Sequence, residues 1–224
     1  MSIADETQHA PARATTPAER LAMSDLQLDA MAETFNLSLG EAAAVFSQLV
    51  QEEIELSVPT VELLPRAALV ERLEIMQDSG PHSRLCSITQ RFDAAGAFHT
   101  DTMLIFPEDD SLEIVRRMLG EEATAETISE LEQDALAEIG NIIINGCMSS
   151  ISNLFRKEIT GTLPEVVIND SRTLIMEHCT ADDVLVARIG MHLAVHNVSG
   201  FVLFMMDIPS IRSFVGEIEH LFDI

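Results

Sequence analysis

One sparse polar pattern occurs twice in this chain of 224 residues, and it restricts the possible folds more than any other feature. The pattern is an Asp, three residues, a Glu, two residues, an Asn, twenty-two residues and a Pro. The first copy begins at Asp29 and the second at Asp134, 105 positions later. Two copies indicate a duplication with pseudo-twofold symmetry rather than a solenoid, which needs at least three stacked units.

The same order of elements is predicted around each copy: a long helix, a strand, a hairpin and a short amphipathic helix. Ser24 with Gln27, and Thr127 with Glu130, form capping-box patterns that predict the starts of the two long helices. We expect the second long helix to extend to about Lys157. The remaining elements of the first half are a strand at 55–64, hairpin strands at 84–92 and 97–106 joined by the turn 93–96, and a helix at 111–120. Those of the second half are a strand at 163–169, hairpin strands at 184–195 and 201–208 joined across 197–200, and a helix at 209–222.

These elements predict one α/β domain over residues 21–224, built from repeat halves 21–120 and 121–224. In this pseudo-twofold duplicated fold, the two long helices pack on a mostly antiparallel sheet. Residues 1–20 contain two prolines, many small polar residues and little apolar periodicity, and we expect a disordered leader there.

The polar residues of each copy fall on one face of a helix. Residues at i, i+4 and i+7 lie close together around a helix axis because each residue advances by about 100°. Two such stripes result, Asp29–Glu33–Asn36 and Asp134–Glu138–Asn141. The apolar residues of the same helices point the other way; they are Met31, Phe35 and Ala42 in the first, and Leu136, Ile139, Ile143 and Cys147 in the second.

A solvated acidic face is the simpler interpretation of either stripe taken alone. Asn is harder to explain in this way, since it costs roughly 0.5 kcal/mol relative to Ala in a helix interior and occurs mid-helix in both copies. Identical spacing in two copies favours a shared functional site, although common descent alone could also preserve a pattern. The halves differ at one point, because Gly40 stands four residues after the first Asn, whereas Asn145 and then Gly146 follow the second.

The formal charge of −24 excludes some classes of partner. Nucleic acid and anionic membrane surfaces would be repelled by such a chain. The three cysteines lie far apart without CxxC spacing, which indicates neither a disulfide framework nor a zinc site, and Cys147 is expected to be a packed, unreactive thiol. No signal peptide or membrane-length apolar run is found, and we expect a cytoplasmic protein.

The doubled pattern resembles the signature of the CheC/CheX/FliY family of chemotaxis phosphatases, in which Asp or Ser, Glu, Asn and Pro occur at this spacing. The segments "EIGNIIINGCMSS" (Glu138–Ser150) and "SLGEAAAVFSQLVQEEIELSVP" (Ser38–Pro59) are similar to the two-site, CheC-like members. The resemblance covers nearly all of the chain after residue 20.

The resemblance implies a phosphatase acting on the aspartyl phosphate of a CheY-type response regulator. Asn36 and Asn141 would position the attacking water, and Glu33 and Glu138 would pair with a lysine of the regulator. Asp29 and Asp134 would support docking, whereas Pro59 and Pro164, at the starts of strands, are interpreted as structural. The protein would need no metal or cofactor of its own, because the regulator supplies the Mg²⁺.

Two other interpretations stay open. The chain could be an adaptor or flagellar-switch component that binds the regulator without hydrolysing its phosphate, or chiefly a partner of a CheD-type deamidase. Two intact copies of the pattern favour the enzyme, and we expect no extra C-terminal assembly domain of the kind that switch proteins carry. We also expect the protein to be a monomer.

Overall fold

The computed structural model describes residues 23–50, 53–76, 84–119, 129–179, 181–193 and 198–224. Helices and strands alternate along these segments in an order that repeats once. In the first half they are α1 (Asp25–Val50), β1 (Ile54–Leu56), β2 (Thr60–Pro65), α2 (Arg66–Met76), β3 (Leu85–Asp93), β4 (His99–Pro107) and α3 (Glu108–Leu119). In the second half they are α4 (Glu130–Gly140), a π-helical segment (Asn141–Asn145), α5 (Gly146–Phe155), β5 (Thr160–Gly161), β6 (Glu165–Asn169), α6 (Ser171–His178), β7 (Asp183–Leu193), β8 (Val198–Met206) and α7 (Ile208–Phe222).

The strands form one sheet in which every described pairing is antiparallel. Its spatial order is β1/β2–β7–β8–β4–β3–β5/β6, since β1 and β2 share the edge of β7, and β5 and β6 share the edge of β3. The two hairpins meet at the centre, where β4 pairs with β8. Each half therefore supplies the edge strands of the other half's hairpin, as expected for a pseudo-twofold arrangement.

The two long helices begin at equivalent positions. Ser24 and Gln27 form the predicted capping box, because each side chain bonds the other residue's backbone N–H. In the second half the box is formed by Ser129 and Glu132, which lie 105 positions after Ser24 and Gln27. The prediction of Thr127 with Glu130 as the second box was therefore wrong, and Thr127 lies outside the described residues. The second long helix ends at Phe155, close to the predicted end.

One hydrophobic core lies between the sheet and the long helices. The side chains predicted to face inward are buried here, namely Met31, Phe35 and Ala42 of α1, and Leu136, Ile139, Ile143 and Cys147 of the second long helix. Phe35 stacks on Phe204 of the sheet, with 4.6 Å between ring centroids, and on Phe214 of α7 at 5.5 Å. This packing fixes which face of each long helix points to solvent.

A second core on the opposite face of the sheet was not predicted. It is covered by α2 and α6, which contact each other and bury Leu69, Val70, Leu174 and Ile175. These helices have only 11 and 8 residues, so their apolar pattern spans two or three turns and gives a weak sequence signal. The 105-residue offset aligns Leu69 with Leu174 and Val70 with Ile175. This repeated apolar pair is the sequence signal that indicates both helices.

The second long helix differs from the first by its π-helical segment. Residues 141–145 form this wider turn, whereas α1 is α-helical from Asp25 to Val50. Gly146, just after the wide turn, lies against α1, where a Cβ at this position would stand 3.0 Å from the Cβ of Ala42. Gly40, in contrast, faces open space. Close helix approach therefore depends on Gly146 and not on Gly40.

The predicted fold class is confirmed: the long helices cover one face of an antiparallel sheet with a duplicated element order. The expected leader at 1–20 lies outside the described residues, and the domain limits 21–224 stay a prediction. In the part of the chain that is described, no helix has both the length and the hydropathy needed to span a membrane.

Candidate functional site

The first acid and carboxamide stripe lies on the solvent face of α1. Asp29, Glu33 and Asn36 are all exposed, while Met31 and Phe35 between them are buried. Within the described residues the side chain of Asn36 has no hydrogen-bond partner. Its carbonyl oxygen and its amino group are both available to a molecule that approaches from solvent.

The second stripe occupies the equivalent face of α4. Asp134 and Glu138 are exposed, and Asn141, at the start of the π-helical segment, is partly exposed. Asp134 and Glu138 precede the wide turn, and Asn141 is its first residue with α-helical φ and ψ of −56° and −47°, so the alignment of the three side chains is retained. The structure thus presents both predicted stripes to solvent, on two helices whose first residues are 105 positions apart.

The two stripes differ in how the Asn side chain is held. Asn145 donates a hydrogen bond from its Nδ2 to Oδ1 of Asn141, one turn earlier. The first site has Gly40 at the position of Asn145 and contains no such donor. Asn141 is therefore oriented by a neighbour, with its own amino group directed away from that bond, whereas Asn36 has no such neighbour in the described part of the chain. A π-helical segment at such a position is typical of functional sites.

The surface around both stripes is acidic. Neither long helix contains a Lys or Arg, and each contains four acidic residues: Asp25, Asp29, Glu33 and Glu41 in α1, and Glu130, Glu132, Asp134 and Glu138 in α4. Among the described residues, no basic side chain forms an ion pair with Glu33 or Glu138. Two acidic convex ridges of this kind fit a cationic cleft on a partner better than a small anionic ligand.

The motif prolines stand immediately before the edge strands. Pro59 precedes β2 and Pro164 precedes β6. Two residues before each proline a hydroxyl side chain bridges to the neighbouring strand. Ser57 donates its N–H to the carbonyl of Gly190 at 2.9 Å and accepts the N–H of Gly190 on its Oγ at 2.8 Å.

The second half repeats this bridge at the same offset. Thr162 donates its N–H to the carbonyl of Arg91 at 2.9 Å and accepts the N–H of Arg91 on its Oγ1 at 3.1 Å. In each half the side-chain hydroxyl thus accepts a backbone N–H that a carbonyl of the edge strand would accept if the strand were not interrupted there. Sequence reasoning identified the prolines but missed Ser57 and Thr162, although the 105-residue offset aligns these two hydroxyl residues.

The cysteines are not part of either stripe. Cys86, Cys147 and Cys179 are free and buried. Burial raises the pKa of the Cys86 thiol to about 11, and burial also raises the pKa values of Cys147 and Cys179. These directions agree with the interpretation of Cys147 as an unreactive packed thiol, because the thiolate is the reactive form.

No group of three or more His, Cys, Asp or Glu side chains in the described segments is arranged to hold a metal ion. The expectation that the protein has no metal of its own remains a prediction.

Comparison with known sequences identifies related chemotaxis proteins. A family model described as chemotaxis phosphatase CheX matches residues 88–190, which include the second stripe. The flagellar motor switch phosphatase FliY of Bacillus subtilis is 22% identical over 175 residues, which are 77% of this chain and 44% of FliY. The CheY-P phosphatase CheC of the same organism is 24% identical over 178 residues, which are 78% of this chain and 80% of CheC. The chain thus spans less than half the length of one relative and most of the other.

Solved structures with a similar fold include a FliY and a FliM middle domain. Thermotoga maritima FliY superposes with a TM-score of 0.67 at 18% identity, covering 90% of this chain and 98% of that one. The FliM middle domain of H. pylori has a TM-score of 0.62 at 13% identity, covering 87% and 99%. At these identities the likeness shows the fold alone.

Proposed function

The chain belongs to the CheC/CheX/FliY family, and from that premise we propose that it is a phosphatase that hydrolyses the aspartyl phosphate of a CheY-type response regulator in chemotaxis signalling. The observation that carries this proposal is the exposure of Glu and Asn on two equivalent helix faces. A convex stripe needs no pocket of its own, because it can enter the active site of another protein.

In this mechanism Asn36 and Asn141 position the attacking water. An acyl phosphate is already labile, so the main requirement is a water molecule held in line with the scissile bond. A carboxamide suits this task because it donates and accepts hydrogen bonds without titrating, and it adds no negative charge near the phosphoryl group. Asn141 would offer its amino group to the water, since its carbonyl oxygen already accepts from Asn145.

Glu33 and Glu138, about one turn before each Asn, fix the docking register. Each carboxylate is exposed on a helix without Lys or Arg, and would pair with a lysine beside the phosphorylated aspartate of the regulator. Asp29 and Asp134 add to the negative potential that favours this approach. The regulator would bring its own Mg²⁺, which would neutralise charge on the transferring phosphoryl group.

The test is the decay of a phosphorylated CheY-type receiver domain with and without this protein. Wild-type protein should accelerate the decay, and Asn36→Ala/Asn141→Ala should remove nearly all of the acceleration. Removing a well-placed polar group from a catalytic site typically costs a factor of about 10²–10³ in rate. The double variant should stay folded and should still bind the receiver. A folded double variant with undiminished activity would refute the mechanism.

A second candidate function is a binding component of the flagellar switch that holds the regulator without hydrolysing its phosphate. The similarity to FliY, a protein named for the motor switch, and the fold shared with FliM middle domains favour it. The same decay measurement separates the candidates, because a binding component would slow the decay or leave it unchanged. Association with a CheD-type deamidase stays a prediction.

A further inference from the structure

Two apolar side chains protrude from the edges of the sheet at equivalent positions. Val58 is 82% exposed and Leu163 is 89% exposed, the highest values among the exposed large hydrophobic residues of the described chain. They are separated by 105 positions, the offset that separates the two stripes. Single exposed apolar residues are common on protein surfaces and need no explanation, but a matched pair at the extreme of exposure does.

The backbone holds both side chains in place. Val58 lies between Ser57, which bridges to Gly190, and Pro59; Leu163 lies between Thr162, which bridges to Arg91, and Pro164. Each proline fixes its own φ and restricts the residue before it to an extended conformation. The side chain is therefore presented to solvent by an ordered backbone, so that little conformational entropy is lost when a partner covers it.

The sheet edges that carry the protruding residues contact the helices that carry the stripes. The helix that carries Asp134 and Glu138, α4, contacts β6, and β6 begins two residues after Leu163. In the first half, α1 contacts both β1 and β2, the two strands that flank Val58. A protein that covers a stripe can therefore reach the protruding residue of the same half.

A second matched pair lies on the stripes themselves. Leu26 is 58% exposed and Leu131 is 55% exposed. Each precedes the Asp of its stripe by three residues, which places it on the same face of the helix. Each site therefore has an exposed leucine one turn before its acidic residues and an exposed apolar side chain at the nearby sheet edge.

We propose that Val58 and Leu163, together with Leu26 and Leu131, are the apolar contacts by which the phosphorylated receiver domain docks on the two sites. This inference rests on the proposed function. The charge distribution identifies the occupant, since two helix faces without Lys or Arg complement the lysine and divalent cation of a receiver active site. Exposed ion pairs contribute little to affinity and are screened by salt, so burial of apolar surface supplies most of the binding free energy.

The test compares Val58→Ser/Leu163→Ser with the wild-type chain. Both are titrated with a CheY-type receiver domain held in its active form by beryllofluoride and Mg²⁺. Burying one such side chain corresponds to about a tenfold change in affinity or more, so we expect Kd to rise about tenfold for the variant. The ratio of the two Kd values should be the same at low and high salt, because the lost contact is apolar. In the decay assay KM should rise while kcat stays unchanged.

Val45→Ser is the matched control. Val45 is 56% exposed on α1, but the equivalent position in the second half is the buried Ser150, so this valine has no apolar counterpart. We expect wild-type affinity for Val45→Ser and also for Val58→Ile, which retains the apolar contact. Wild-type affinity in Val58→Ser/Leu163→Ser, with receiver decay still accelerated, would overturn the inference and leave the proposed function standing. A wild-type chain that neither binds the receiver nor accelerates its decay would overturn both.

Discussion

At the scale of single residues, the two stripes differ because, among the described residues, Asn141 has a neighbour that orients its side chain and Asn36 has none. The hydrogen bond from Asn145 fixes which end of the Asn141 carboxamide faces outward. In the first site Gly40 has no side chain, so in the proposed mechanism the Asn36 amide would be ordered only when the receiver binds. Ordering a side chain costs free energy, so the pre-oriented site should be the faster of the two.

Asn145→Ala should therefore slow the second site specifically. A hydrogen bond of this type contributes about 1 kcal/mol, which corresponds to roughly a fivefold change in rate. The measurement is receiver dephosphorylation in the Asn36→Ala background, where only the second site acts. Asn153→Ala, at an exposed Asn of α5, is the matched control and should leave the rate unchanged. An equal loss in both variants would show that Asn145 has no orienting role.

At the scale of elements, the capping boxes set the positions of both stripes. Ser24 precedes the first long helix, and Ser129 precedes the second, which consists of α4, the π-helical segment and α5. Because the two caps are 105 positions apart, as the stripes are, each Asp, Glu and Asn lies the same number of residues from its helix start. Glu132 of the second box is 5% exposed, and it reaches the backbone N–H of Ser129 at 2.6 Å. The cap thus determines where the helix that carries the second stripe begins.

Ser129→Ala should lower the free energy of unfolding by about 1 kcal/mol, because the N–H of Glu132 loses its acceptor. Urea unfolding followed by circular dichroism would measure the change. Ser149→Ala, at an exposed serine inside α5, is the control and should change stability little or increase it slightly. If the two variants are equally stable, the capping box does not stabilise the helix.

Sequence reasoning found those elements whose signal is long or repeated. The long helices have nearly continuous apolar faces, and the hairpins have alternating strands around short turns, so both kinds of element were predicted within a few residues. It missed α2 and α6, which bury too few apolar residues for a clear period. It also missed the π-helical segment, because the residues "NIIIN" are equally compatible with an α-helical turn and with a π-helical turn. Thr127 with Glu130 fits the local capping-box pattern, but the box is formed by Ser129 with Glu132, which correspond to Ser24 and Gln27 at the 105-residue offset.

At the scale of the whole molecule, the halves are interlocked by strand exchange. The edge strands β1 and β2 of the first half pair with β7 of the second, and β6 of the second pairs with β3 of the first. A half by itself would expose the unpaired edge of its hairpin and one face of its long helix. The pairing between the halves therefore predicts one cooperative unit instead of two linked domains.

Fragments 21–120 and 121–224 should consequently fail to fold as separate monomers. We expect low helix content and poor amide dispersion for either fragment alone, and recovery of both when the fragments are mixed. Circular dichroism, heteronuclear NMR and gel filtration would measure this. The uncut chain under the same conditions is the control, and a well-folded monomeric half would contradict the interlocked description.

The pseudo-symmetry also predicts how much each of the two sites contributes to the dephosphorylation rate. If each stripe engages its own receiver, the rates of Asn36→Ala and Asn141→Ala should add up to the wild-type rate, since distant independent sites contribute additively. The larger share should be lost in Asn141→Ala, because that variant removes the pre-oriented carboxamide. Decay of a phosphorylated receiver in excess, measured for both single variants and the wild type, checks the sum. Near-complete loss in both single variants would make the two losses sum to more than the wild-type rate, and would show that the two sites act on one receiver together.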